Sequence, residues 1–320
     1  MTKVGFIAII LGALLCAGAA EAQASRTWVS GSSGASDSNP CTRAQPCATF
    51  SGAYGKTSAG GEIDVLDGGD FGPLTIQHAL TIANDGAGTA AITPASTDAV
   101  HINAGPADAV VLRGLNLNGV TTFAPGISFV NGGSLLVDHC KIQGFQAGSA
   151  IYFAANNAAK LWVRDTVLSN DGNSGNASVW IVPQSGGVAT VHLEGVQILN
   201  AVGNGIRVDG TTSGAGPIDV ELHDVTVDAA SGGSGIVAVA PTTGGPTVKI
   251  VADDVTSSHN AGYGFRAVGG RASVYLSRSV IENNGVGIGE STGGVVYSYG
   301  DNRFANNTSD GVAPTPIGLK

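Results

Sequence analysis

The sequence is short of the residues that build long amphipathic helices: among 320 residues there is one Met, and only 12% are Asp, Glu, Lys or Arg. Helical architectures need straight-chain and charged residues in quantity, so they are disfavoured. The 49 Gly point instead to many short strands joined by turns, an all-β class. Basic residues are scarce as well. Fifteen Lys and Arg against 24 Asp and Glu leave a formal charge of −9, which argues against nucleic acid and anionic lipid surfaces as partners.

Long apolar runs are missing except at the N-terminus, where Lys3 precedes an apolar stretch ending in Ala20-Glu21-Ala22 and Ala22-Gln23-Ala24. This is the layout of a cleaved secretory signal, and the stretch falls short of the roughly 20 apolar residues of a comfortable span. Residues 1–24 are therefore expected to be removed, leaving an extracellular or periplasmic protein with no membrane span. Lys3 and Glu21 leave together, so the charge is unchanged. Leu15 is too large for the residue before a lipid-modified Cys16. The mature chain keeps three cysteines. In an oxidising compartment Cys41 and Cys47 can close a small disulfide loop, while Cys140, in phase with Val137 and Ile142, reads as a small core side chain.

Residues 25–61 are irregular. Ala48, Phe50, Ala53, Tyr54 and Thr57 suit one face of a helix of about three turns ended by Gly60-Gly61, a sensible lid for an open coil end. Beyond it, apolar residues recur at period two in short segments. In one unit Val191 and Leu193, Val196 and Ile198, then Ile206 and Val208 mark three strands cut by Gly195 and by residues 200–205. Neighbouring segments repeat the pattern. One turn position recurs at 114, 139, 165, 195, 224, 254, 278 and 301, at intervals of 23 to 30 residues, the signature of a solenoid with insertions on one side. Asn170, Asn200, Asn260, Asn284 and Asn307 precede the third strands, where Asn suits a tight, left-handed turn and stacked amides can form a ladder.

Over residues 48–311 the three-strand rungs, the Asn turns, the openings Asn204-Gly205-Ile206 and Asn284-Gly285-Val286-Gly287-Ile288, and the helical lid resemble secreted right-handed parallel β-helix proteins of the pectin-lyase-like superfamily. The strict six-residue period of a left-handed β-helix is absent. The resemblance implies a single-stranded right-handed parallel β-helix with a short N-terminal capping helix: a cap over 25–61, the helix proper over 62–311 and a tail over 312–320. It says little about activity, since that superfamily holds lyases, hydrolases, epimerases, adhesins and proteins of no known activity.

Two outward faces carry candidate chemistry. Strand one presents Arg113, Asp138, Arg164, Glu194 and His223 in one column, and Trp162, His192, Glu221, Lys249 and Tyr275 in a second. Exposed pairs of opposite sign contribute little, so a solvated, charge-complementary face is one reading. The other is catalytic: carboxylates, Arg and His along a groove can bind sugars and move protons, which makes Asp138, His139, Arg164, Glu194 and His223 the candidates. Asp138-His139 also resembles part of the Trp-Ile-Asp-His segment of pectate lyases, in which neighbouring acids hold Ca²⁺ and an Arg abstracts a proton; here Leu136 stands in place of the Trp. The Gly-His-Gly and Arg-Ile-Lys segments of polygalacturonases are missing. No cofactor is expected. Calcium is the one metal left open, with Asp253-Asp254 and Asp64, Asp67 and Asp70 as oxygen donors, although no Asp-x-Asp-x-Asp loop occurs.

Strand three places Tyr152, Trp180, Arg207 and Arg266 outward, and with Trp162 these offer stacking platforms and planar donors for sugars and their acidic groups. The expectation is an exported envelope or extracellular protein that binds polysaccharide or another surface component without catalysis. The alternative is a polysaccharide lyase or glycoside hydrolase working in the strand-one groove.

Overall fold

The computed structural model describes residues 23–120, 124–173 and 175–318. Residues 1–22 of the expected signal lie outside the described residues.

The rung that contains Val188–Leu199 and Asn204–Asp209 shows how the sequence builds the fold. Val191, Leu193, Val196, Ile198, Ile206 and Val208 are all buried, while Glu194 and Gln197 between them are exposed. A rung with one apolar face cannot hide it alone, so rungs stack in parallel and pair like with like. In strand one Leu80, Val110, Leu135, Leu161, Val191, Val220, Ile250, Val274 and Val296 lie one above another. Strand three supplies Val100, Ile127, Ile151, Val179, Ile206, Ile236, Phe265 and Ile288 in the same way. The result is a parallel β-helix with one continuous apolar shaft, in which Phe129 and Phe153 stack at 4.7 Å. Strands one and two merge into a 19-stranded sheet and the third strands form a separate sheet of ten among the described residues.

The bend between strands one and two is made by one left-handed residue per rung. Gly114, His139, Asp165, Gly195, Asp224, Asp254 and Arg278 have φ between 46° and 70°, and the next rung uses Gly300 rather than the expected Asp301. The second bend corrects the reading of the asparagines. Its left-handed residues are Gly144, Asn170, Asn200, Ala229, His259, Asn283 and Asn306, so Asn170 and Asn200 make the turn, whereas Asn260, Asn284 and Asn307 follow it and point inward. These three form the ladder. Asn260 Nδ2 donates to Asn284 Oδ1 at 2.8 Å, and Asn284 Nδ2 to Asn307 Oδ1 at 3.1 Å. Each Oδ1 also accepts a backbone N–H from the rung before: Ala230, Asn260 and Asn284 in turn. Amides are tolerated inside because their donors and acceptors are met. The same column holds Ala201, Ala230 and, earlier, the buried Asp171, whose Oδ1 accepts the Phe145 N–H at 2.9 Å.

The capping helix spans Phe50–Tyr54, shorter than expected. Thr49 Oγ1 caps it by accepting the Gly52 N–H, and the chain then enters the strand Thr57–Val65, which runs straight through Gly60-Gly61. Phe50 packs on Phe71 and the Tyr54 hydroxyl accepts the Gln77 N–H, which seats the helix beside the first third-sheet strand, Leu74–Ile76. Ala24–Val29 pairs in parallel with Thr57–Val65 and closes that end, tied by the buried Cys41–Cys47 disulfide. At the other end the outermost strand Thr315–Pro316 contains a proline, which lacks the N–H that further strand addition uses. Cys140 is free and buried, and burial pushes its thiol up to about 11. Among the described residues no helix is long and apolar enough to cross a membrane.

Candidate functional site

The parallel register places the strand-one candidates as expected: Arg113, Asp138, Arg164, Glu194, His223 and Asp253 occupy one outward column. Asp138 is buried, at 6% exposure. Its oxygens are engaged by His139 Nδ1 at 2.9 Å and Arg164 Nη2 at 3.3 Å. Arg113 turns the other way and grips Asp85 through Nε and Nη2 at 2.7 and 2.9 Å. Asp253 takes Arg278, with His223 Nδ1 at 3.5 Å. The column is thus a run of cross-rung ion pairs, and Glu194 stands exposed within it. In the second column Trp162, His192, Glu221 and Tyr275 align, but Val251 rather than Lys249 holds the intervening place; Lys249 lies two residues earlier, beside Asp219 and Ser273. Trp162 stacks on His192 at 6.3 Å with the Lys160 ammonium 5.8 Å from its ring.

The aspartates considered for calcium are not brought together. Asp253 is paired as above, Asp64 binds Arg26, Asp67 accepts from Ser30, and Asp70 Oδ1 accepts the N–H groups of Gly72 and Thr93. Among the described residues the metal-donor trio that converges is Asp138, His139 and Asp165. Arg164 and His139 already engage the oxygens of Asp138, which leaves the exposed Asp165 carboxylate as the free oxygen donor of this trio.

On the third sheet His101, Ser128, Tyr152, Trp180, Arg207, Val237 and Arg266 form one outward column. Tyr152 is held outward by inward Ile151 and Phe153, and Trp180 by Val179 and Ile181. The two rings meet edge to face at 5.3 Å. With Ser149, Asn176, Gly148 and Pro125 they line a cavity of about 170 Å³. Gly148 is required by close approach, because a Cβ there would lie 2.4 Å from the Ala124 carbonyl oxygen. Two polar atoms at this cavity, Trp180 Nε1 and Ser149 Oγ, are buried without a protein partner. Buried polar atoms are nearly always met, and these two stand out as lying in residues that line this opening, whereas the unmet Asn116 Oδ1, Asn157 Oδ1, Asp171 Oδ2 and Ser178 Oγ do not. Arg207 is less available than expected, since its guanidinium binds Asp209 at 2.6 Å. Burial raises the Asp209 carboxyl, but hydrogen bonds from Thr211 and Arg207 outweigh it and hold the group below the ordinary range. Arg266 stacks over Tyr263 at 4.8 Å. Trp162 belongs to the other sheet, so the five stacking and planar-donor candidates are divided between two faces.

Sequence reasoning missed the larger opening on this sheet. A cleft of about 590 Å³ lies over Thr75 and His101, walled by Ser51 of the capping helix and by Ser96, Thr97 and Asp98. His101 Nδ1 and Asp98 Oδ2 are 2.8 Å apart. The signal was present in the chain: His101 alternates with Val100 and Ile102 as Tyr152 does with its neighbours.

Compared by sequence, the chain matches no protein-family model and no curated protein. Among solved structures it is similar to the GH136 lacto-N-biosidase from Eubacterium ramulus, solved as a selenomethionine derivative. The TM-score is 0.44 at 10% identity, over 92% of this chain and 68% of that one. A likeness of that degree carries no argument about activity.

Proposed function

We propose that the protein is an exported β-helix of the pectin-lyase-like kind that binds polysaccharide along its third sheet, without chemistry at that contact. The observation that carries this reading is the Tyr152–Trp180 cavity with its two unmet polar atoms. A sugar ring offers apolar C–H faces for the aromatic pair, and its hydroxyls can meet Trp180 Nε1 and Ser149 Oγ once a side-chain rotation uncovers these buried atoms. Calorimetric titration with neutral and acidic polysaccharides tests it. Trp180→Ala is expected to weaken a ligand by about 0.5 to 1.5 kcal/mol, and Asp138→Asn to leave it unchanged.

A second reading, a lyase or glycoside hydrolase on strand one, has the convergence of Asp138, His139, Arg164 and Asp165 in its favour. Turnover of a polysaccharide that disappears in Asp138→Asn but persists in Trp180→Ala would establish that reading instead.

A further inference from the structure

We propose that the cleft over His101 is a hydrolytic site in which Asp98 and His101 cleave an acyl ester, and that the natural substrate is an ester-substituted sugar. The sugar part rests on the polysaccharide reading above; the ester chemistry does not.

Pairing of His with a carboxylate is common in this protein, so pairing alone selects nothing. His139 with Asp138, His259 with Asp228, His192 with Glu221 and His223 with Asp253 are all such pairs. The Asp98–His101 pair differs in its setting. It is the pair that lines one of the two cavities described above, and the cavity wall beside it carries the hydroxyls of Ser51, Thr75, Ser96 and Thr97. Thr75 lies directly across from His101 on the adjacent rung. An ionised carboxylate can only accept, so Asp98 fixes the proton on Nδ1 and leaves Nε2 as the basic nitrogen. That is the orienting role a carboxylate plays for a histidine general base.

The lining residues narrow the reaction. Glycoside hydrolysis by the usual route needs two carboxyl groups astride the bond, and among the described residues the cleft wall supplies one, already engaged by His101. Elimination from a uronate needs a cation to offset the sugar carboxylate, and no Lys or Arg is among the described lining residues. Ester hydrolysis needs a base, a water and hydroxyl donors for the developing oxyanion, all of which suit this wall. His101 Nε2 takes a proton from a water molecule as its oxygen bonds to the acyl carbon. The acyl C–O bond then breaks and the proton passes to the departing sugar oxygen, giving a carboxylic acid and a free hydroxyl. Ser128 links His101 to Tyr152 in the same column, so the cleft lies two rungs, about 10 Å at the usual strand spacing, from the aromatic cavity. A chain held by Tyr152 and Trp180 can therefore reach it.

The test uses the full chain with 4-nitrophenyl acetate, which needs no glycan contact, and with acetylated xylan, followed by released acetate. Wild type is expected to turn over both. His101→Gln should lower kcat/KM about 100-fold or more for both. Asp98→Asn, a positioning change, should lower kcat with KM unchanged, and His259→Asn, which removes an equally close pair outside the cleft, should leave both rates intact. Turnover of 4-nitrophenyl acetate no faster than that of free imidazole at equal concentration, or equal in wild type and His101→Gln, overturns the proposal. If the small ester is cleaved through His101 but acetylated xylan is neither bound nor deacetylated, the dyad stands and the polysaccharide reading falls. Glycan binding without turnover of either ester overturns the dyad and leaves the polysaccharide reading standing.

Discussion

The two outward sheets of this β-helix carry similar residue types but use them differently. On strand one the charges satisfy one another across rungs: Asp138 holds Arg164 and His139, and Asp253 holds Arg278 and His223. On the third sheet Arg207 is held by Asp209, but residues beside two openings are less fully paired, and Trp180 Nε1 and Ser149 Oγ are buried without a protein partner. Exposed charge ladders contribute little to stability but set register and repel wrong pairings. Unmet buried donors, by contrast, cost stability unless something outside completes them. Composition alone would favour strand one as the working face; hydrogen-bond accounting favours the third sheet.

Both sheets rest on one shaft, and the largest expected effect comes from breaking it. Leu193→Asp on strand one and Ile206→Asp on strand three each place an unpaired carboxylate among fully buried aliphatics, and each should prevent folding. Gln197→Lys, exposed on the same rung, should be tolerated. Circular dichroism and protease resistance read the outcome, and a normally folded Leu193→Asp would mean the two faces are independent.

A smaller, pH-dependent effect sharpens the contrast. Burial pushes the Asp171 carboxyl up to about 8, its Oδ2 has no partner, and its Oδ1 holds the Phe145 N–H that leads into the cavity wall at Gly148 and Ser149. A carboxyl raised in the folded state holds its proton more tightly there than in the unfolded chain. Stability is therefore fullest below the ordinary carboxylate value and falls as pH rises from about 4 to about 8. Asp171→Asn, which puts the ladder residue of Asn260 and Asn284 at this rung, should remove that slope. The variant is expected to be more stable by a few kcal/mol above pH 8 and nearly equal at pH 4, measured by denaturant melts. In wild type the Trp180 emission should change over the same interval.

How much of this was legible in the chain differs between fold and site. The period-two apolar residues and the recurrent turn position were readable because a left-handed bend between two strands restricts what can stand there; seven of the eight positions hold, and the slip to Gly300 is a glycine displacing its neighbour. The two asparagine roles were not separable, because the same amide that tolerates left-handed φ at Asn170 also builds an interior ladder at Asn284. Lys249 was misplaced because Val251, an outward apolar residue, breaks the polar pattern of its column. The Tyr152–Trp180 alignment followed from strand phase alone. The cavity beside it did not, since it depends on how loops at 124–125 and 147–149 approach, which no periodicity encodes. His101 was missed because its rung precedes the clear repeat and lacks an Asn turn.

The smallest expected effect tests the strand-one face directly. Asp138 and Arg164 are 3.3 Å apart across one rung, with the Arg side chain about half exposed. A double-mutant cycle with Asp138→Asn and Arg164→Gln should give a coupling of about 0.2 to 1 kcal/mol, reduced further by salt, because solvent screens the guanidinium and ordering two side chains offsets part of the attraction. Asp138 is itself buried, which biases the single Asp138→Asn change upward: it leaves His139 without its partner as well, so the single change can exceed the coupling. A coupling well above 1 kcal/mol that resists salt would mean that the pair is shielded from water, as a groove would shield it. The face would then be a pocket rather than a ladder, and the strand-one enzyme reading would gain the enclosed geometry that catalysis there requires.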